Sequence, residues 1–307
     1  MIHINQSTAA SLATFRGRVR WVFNQLVDAM RNFNHVRVAY IFSAWDLQVG
    51  SPGYEFELMN RGERRLLELA CQQWNLDMVK FLLENRNIEP KGFDVWSFIL
   101  AGPMDIALAL VTHGFDINQP YHDYPYSVLG DYLQHPDMIM RLLNLGANPS
   151  QATLCGMADI PSLAGQHASI EVVDMLYHAG AKFFRSNALH RAIEAAEHDE
   201  DRFAIMDFLL QNELVDINQL EYGYKENPSL WPGSGTALHC AVRTASLRSV
   251  EYLLAWNADL NVKNRMGWTP LDLAIRYGLE DIKKVLRNAQ QRLRRENLRR
   301  DASTNEG

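Results

Sequence analysis

The sequence predicts an all-α fold, a solenoid of stacked helix-turn-helix units with protruding hairpin loops, and three observations carry that prediction. The phrase Thr236-Ala237-Leu238-His239-Cys240-Ala241 returns as Thr269-Pro270-Leu271-Asp272-Leu273-Ala274, 33 residues later, and Asn187-Ala188-Leu189-His190-Arg191-Ala192 is a weaker third copy. A second phrase follows it, as in Ser249-Val250-Glu251-Tyr252-Leu253-Leu254 and Ile205-Met206-Asp207-Phe208-Leu209-Leu210. That second phrase also recurs upstream, where the first has decayed, beginning at Asp77, Asp105, Asp137 and Glu171, with steps of 28, 32 and 34 residues. A fixed period of this size marks an array in which each unit buries its apolar face only against its neighbours.

The second phrase runs on into Asn257-Ala258-Asp259-Leu260-Asn261 in one copy and into Val215-Asp216-Ile217-Asn218 in another. On these residues the chain resembles the ankyrin-repeat family, whose unit reads TPLHLA, a short turn, then EVVxLLLxxGADVN. The resemblance covers about residues 61–290 and is sharpest in the last two units. It implies an ankyrin-repeat solenoid of roughly seven units, each with two short antiparallel helices and a protruding hairpin finger.

The chemistry of the unit agrees with that reading. Thr236 and Thr269 can cap the first orphan amides, and Pro270 at the first helical position sacrifices no hydrogen bond. Leu and Ala at three-residue spacing face the next unit. Gly114, Gly146 and Gly180 follow second helices, where a left-handed cap is expected, and Asn257 is the substitute in its copy. His190 and His239 occupy the family's TPLH slot, where the resemblance implies a structural role, bonding to the adjoining loops; Asp272 replaces them in the last unit as an acceptor.

Before the repeats, residues 1–60 read as a helical cap or a degenerate first repeat. Val19, Val22, Phe23, Leu26, Val27 and Met30 form a helical stripe, and 36–42 can form a second helix. A separate adaptor motif is the sharper alternative, and no motif supports it. At the other end, Ile282, Val285, Leu286, Ala289 and Leu293 form a stripe with the arginines on the opposite face. Residues 282–300 hold eight basic residues and one acidic, a net of +7 in a chain of net charge −6, which leaves −13 elsewhere. A solvated capping helix explains this run better than an import signal or an acidic-partner patch. Residues 291–307 are expected to form a basic helical end and a disordered tail, the latter from Asp301 to Gly307.

Composition bounds the rest. A hydrophobic content of 47% excludes general disorder, and the negative charge argues against nucleic-acid binding. The three cysteines, Cys71, Cys155 and Cys240, cannot all pair, so a reducing compartment, cytoplasmic or nuclear, is expected. No leader is read in the polar opening residues. No membrane span is read in 95–111, which Pro103 and Asp105 interrupt. Glu197-His198-Asp199-Glu200-Asp201 reads as a solvated turn, since five consecutive residues rarely converge on one ion.

The resemblance also implies a partner protein, docked on the concave surface made by finger tips and first helices. The family's variable positions fall on Arg265, Met266, Trp268, Arg276 and Tyr277, and in the preceding unit on Trp231 and Arg243. The finger after Asn118 adds Tyr121, Tyr124 and Tyr126. Arg, Trp, Tyr and Met are enriched at interface centres, although a lone aromatic in such a loop equally suits packing. Phosphate-binding glycine loops, His-Glu-x-x-His pairs, paired Cys-x-x-Cys motifs and Gly-x-Ser-x-Gly elbows are missing from the sequence. The expectation is a monomeric interaction module with no metal, no cofactor and no catalytic residues. The alternative is an unrecognised enzyme whose groove is lined by residues such as His122 and Asp123.

Overall fold

The computed structural model describes residues 15–32, 37, 38, 41, 64–86, 88–91, 94–119, 127–152, 159–221 and 235–304. Among these residues the regular elements are helices, with one isolated antiparallel bridge between Ala152 and Asp159. The chain divides into two compact units, 1–117 and 118–307.

In the first unit, helix α1 (Phe15–Arg31) buries Leu26, Ala29 and Met30. Two helix pairs follow: α2 (64–72) with α3 (Leu76–Arg86), and α4 (Val95–Ala101) with α5 (Met104–Thr112). Helix α3 packs on α5, and the Trp74 and Phe98 rings meet edge to face with centroids 5.9 Å apart. The Asp94 carboxylate caps α4 by accepting from the Ser97 amide.

The second unit holds five pairs. These are α6 (Val128–Asp131) with α7 (Pro136–Asn144), α8 (Ile160–His167) with α9 (Ile170–His178), and α10 (Ala188–Ala195) with α11 (Asp201–Gln211). Then come α12 (Ala237–Arg243) with α13 (Leu247–Ala255), and α14 (Pro270–Arg276) with α15 (Glu280–Thr304). First helices pack on first helices, α6 on α8 on α10 on α12 on α14; among second helices α7 packs on α9 and α9 on α11, α13 packs on α15, and Tyr252 of α13 donates to Asp207 of α11 at 2.6 Å. Short helices without a complete core of their own thereby become buried on both flanks: Ala237, Leu238, Cys240, Ala241 and Val242 of α12 have no exposed surface.

The caps follow the sequence. Thr269 accepts from the Asp272 amide at 3.2 Å while Asp272 Oδ2 accepts from the Thr269 amide at 2.9 Å, a reciprocal capping box with Pro270 behind it. Asn257 takes φ 59°, the left-handed turn that glycine supplies at 114, 146 and 180. The same turn also occurs at Glu213 and Ala245, where no residue signals it. Ala245 occupies the repeat position that Gly278 fills 33 residues later.

Three buried side chains latch consecutive repeats together. His190 Nε2–H donates to the Gly235 carbonyl at 3.0 Å, and His239 Nε2–H donates to the Trp268 carbonyl at 2.9 Å. The Thr236 amide donates to His239 Nδ1 at 3.1 Å, which fixes that ring in the Nε2–H tautomer. The third latch is Arg202, only 4% exposed, which donates to the Ala168 carbonyl at 2.6 Å and to the Gly165 carbonyl at 3.3 Å. Its Nε lies 2.8 Å from Asp199 as an ion pair, angled away from a hydrogen bond. The acidic 197–201 segment is thus tied into the array, with Glu200 also bonded to Arg248 at 2.7 Å.

The terminal stripe is only partly buried. Ile282, Leu286 and Ala289 are covered, but Leu293 is 42% exposed because α15 runs beyond the helices it packs on. With Leu254, Leu260 and Arg292 it lines an open groove of about 430 Å³. Among the described residues, no helix is long and apolar enough to cross a membrane.

Two predictions follow from this packing. A Cβ on Gly165 would lie 2.2 Å from the Ala188 carbonyl oxygen, so α8 approaches α10 closely only because a glycine stands there. Gly165→Ala should therefore cost about 1–3 kcal/mol, read as a lowered urea midpoint. The second concerns pH. Burial drives the His190 pKa from 6.5 down to about 4, outweighing the Gly235 hydrogen bond. The unfolded chain takes up a proton near its ordinary value while the native state does not, so stability falls as pH drops from 6.5 towards about 4. Between about pH 7.5 and about pH 5 the wild type should lose roughly 2 kcal/mol more unfolding free energy than His190→Gln; equal losses would contradict the latch.

Candidate functional site

The finger and first-helix face of the last two repeats brings most of the described candidate residues together, and they divide into a tied group and an open group. Arg243 leads the tied group. Its Nη2 lies 2.7 Å from Glu194 Oε1, 3.5 Å from Glu221 Oε1 and 3.3 Å from Cys240 Sγ. Arg191 closes the network on Glu194 Oε2 at 2.7 Å. Burial pushes Glu194 up, but Arg191 and Arg243 outweigh it and hold the carboxyl below its ordinary range. Glu221 is only 3% exposed, and there burial wins over Arg243 and raises the carboxyl. Arg265 joins the group by donating from Nη2 to the Glu221 carbonyl at 3.0 Å, which ties one finger to the next.

The open group is built by a tight hairpin tip. Asn264 Oδ1 accepts from the Met266 and Trp268 amides, each at 3.0 Å, and the Asn264 amide donates to the Trp268 carbonyl at 2.8 Å. That carbonyl also receives the His239 latch, so the previous repeat fixes where Trp268 sits. The Trp268 ring is half-buried, and the Arg276 guanidinium lies 4.0 Å above its centroid. In the same finger and helix Ile275 is 50% exposed, Tyr277 44% and Met266 39%. Sequence reasoning missed Ile275, whose only signal is an apolar residue one step beyond the buried Leu273-Ala274 pair.

Tyr121, Tyr124, Tyr126 and Trp231 lie outside the described residues, as do His122 and Asp123 of the enzymatic alternative and Cys155. Cys240 and Cys71 are buried free thiols raised by burial, Cys71 to about 12, so both remain protonated. The two latch histidines are neutral and committed through Nε2 to carbonyls. The described residues contain no group of three or more His, Cys, Asp or Glu arranged to hold a metal ion.

Residues 220–274 match the family model described as ankyrin repeats in many copies. The chain is 48% identical over 52 residues to the potassium channel AKT1 of Arabidopsis thaliana, covering 17% of this chain and 6% of the channel. It is 30% identical over 82 residues to protein phosphatase 1 regulatory subunit 27 of Mus musculus, covering 26% of this chain and 53% of that protein. The Notch-regulated ankyrin repeat-containing protein of Xenopus tropicalis is 34% identical over 73 residues, covering 24% of this chain and 61% of its own length. The chain thus spans less than two thirds of each of these relatives. The matched segment contains the capped helix α12, the capped start of α14 and the His239 latch between them, and together these observations identify it as ankyrin repeats.

Proposed function

We propose that this protein is a non-catalytic interaction module, and that it binds a partner protein through the finger and first-helix face of its last repeats. The observation that carries the reading is the open group: the Arg276–Trp268 stack, with Met266, Ile275 and Tyr277 exposed in the same finger and first helix. Solitary exposed apolar residues are ordinary on a protein surface, whereas Trp, Arg, Tyr and Met gathered in one finger and the helix after it have the composition of an interface centre. The mouse relative named as a protein phosphatase 1 regulatory subunit supports a binding role, since a regulatory subunit is named as part of an assembly with another protein. The proposal includes a monomer working without a cofactor in a reducing compartment, cytoplasmic or nuclear, in keeping with the buried thiols of Cys71 and Cys240.

Trp268→Ala combined with Tyr277→Ala should weaken the native partner, once recovered by affinity capture and mass spectrometry, by 2 kcal/mol or more, about thirtyfold in Kd. Calorimetric titration of the two forms measures it, with circular dichroism as the check on folding. Undiminished binding by a folded double variant would remove this surface from the proposal.

A further inference from the structure

The open group also has a charge. Residues 262–277 carry three cations, Lys263, Arg265 and Arg276, against one carboxylate, Asp272. Asp272 is already committed, because its Oδ2 accepts from both the amide and the hydroxyl of Thr269. These hydrogen bonds hold it below the ordinary carboxylate range. Arg265 is committed in part, to the Glu221 carbonyl. Arg276 differs. It is exposed and stacked on Trp268, and no carboxylate among the described residues pairs with it. The contrast with Arg243 is direct: that arginine stands one repeat earlier at the same position, and Glu194 and Glu221 occupy it.

A guanidinium lying over a ring keeps its N–H donors at the edge of its own plane. The stack therefore restrains the side chain and leaves a fork of donors available, the geometry that a carboxylate accepts in bidentate fashion. Restraint before binding reduces the entropy lost on complex formation.

We propose that Arg276, held on Trp268, receives an Asp or Glu side chain from an acidic segment of the partner protein, with the exposed Met266 and Tyr277 as further contacts. The inference rests on the binding surface proposed above and adds the chemistry of its occupant. Charge complementarity selects that occupant: the Arg276 guanidinium is exposed, restrained on Trp268 and without a carboxylate partner among the described residues. A nucleic acid also offers acceptors, but the chain as a whole carries −6.

The test uses the full chain as bait for a displayed library of random short peptides. The most enriched peptide is synthesised beside a twin with Asp and Glu replaced by Asn and Gln. Fluorescence anisotropy then compares both on the wild type, Arg276→Gln and the Trp268→Ala/Tyr277→Ala variant, each checked for helicity. The expected result is acidic enrichment, with the neutral twin binding the wild type about tenfold more weakly. On Arg276→Gln the two peptides should bind alike, the coupling a double-mutant cycle reports. The acidic advantage should shrink as salt rises.

An acidic advantage that persists on Arg276→Gln overturns the inference, as does a selection that yields no binder. Enriched neutral peptides that need Trp268 and Tyr277 overturn it while leaving the binding surface intact. Peptides indifferent to all three residues overturn the surface as well. Competition by a single-stranded oligonucleotide that depends on Arg276 would assign the fork to phosphates and overturn it too.

Discussion

No unit of this chain can bury its own apolar face, and the rest of the second unit's architecture follows from that constraint. A seven-residue helix such as α12 is too short to be stable alone in water. Its residues 237–242 become buried only because α10 lies on one flank and α14 on the other. The residues that permit this approach are small, and the polar groups left behind need partners from the next repeat. His190, His239 and Arg202 supply them, each reaching a backbone carbonyl of a neighbouring unit. Apolar stacking thus provides the cohesion, and the latches set the register.

The same latches connect packing to recognition. The Trp268 carbonyl is held from behind by His239, and the tip in front of it is closed by Asn264. The ring that supports Arg276 is therefore positioned by buried groups of two repeats rather than by a free loop. Arg243 and Arg276 show how one repeat position takes on different work. The first is neutralised inside a two-carboxylate network and braces the fingers; the second is stacked and left open. The difference lies in the neighbours, since both are arginines at the last position of a first helix.

Much of this was legible in the residues. The 33-residue spacing announced the stack, Thr269, Pro270 and Asp272 announced a capped helix start, and Asn257 announced the left-handed turn that it makes. The structural roles of His190 and His239 were legible through the family resemblance. Other features left no mark. Ala245 and Glu213 adopt positive φ because the chain must turn there whatever residue occupies the place. Arg202 begins in a segment that reads as a solvated acidic turn, yet its guanidinium is buried, because two carbonyls of the preceding repeat need a donor. Leu293 continues an apolar stripe and remains exposed, since the helix outruns its neighbours.

The sequence by itself determined the period, the helical class, the start and stop of the best-formed units and the residue types that crowd one face. These are local properties, carried by short-range hydrogen bonding and by spacing along a single helix. Only the tertiary structure decided which arginine is spent and which is open, which histidine nitrogen carries the proton, and that Arg276 lies over the Trp268 ring. Those outcomes depend on the distances and angles at which side chains meet, and these arise only once the units have folded and stacked.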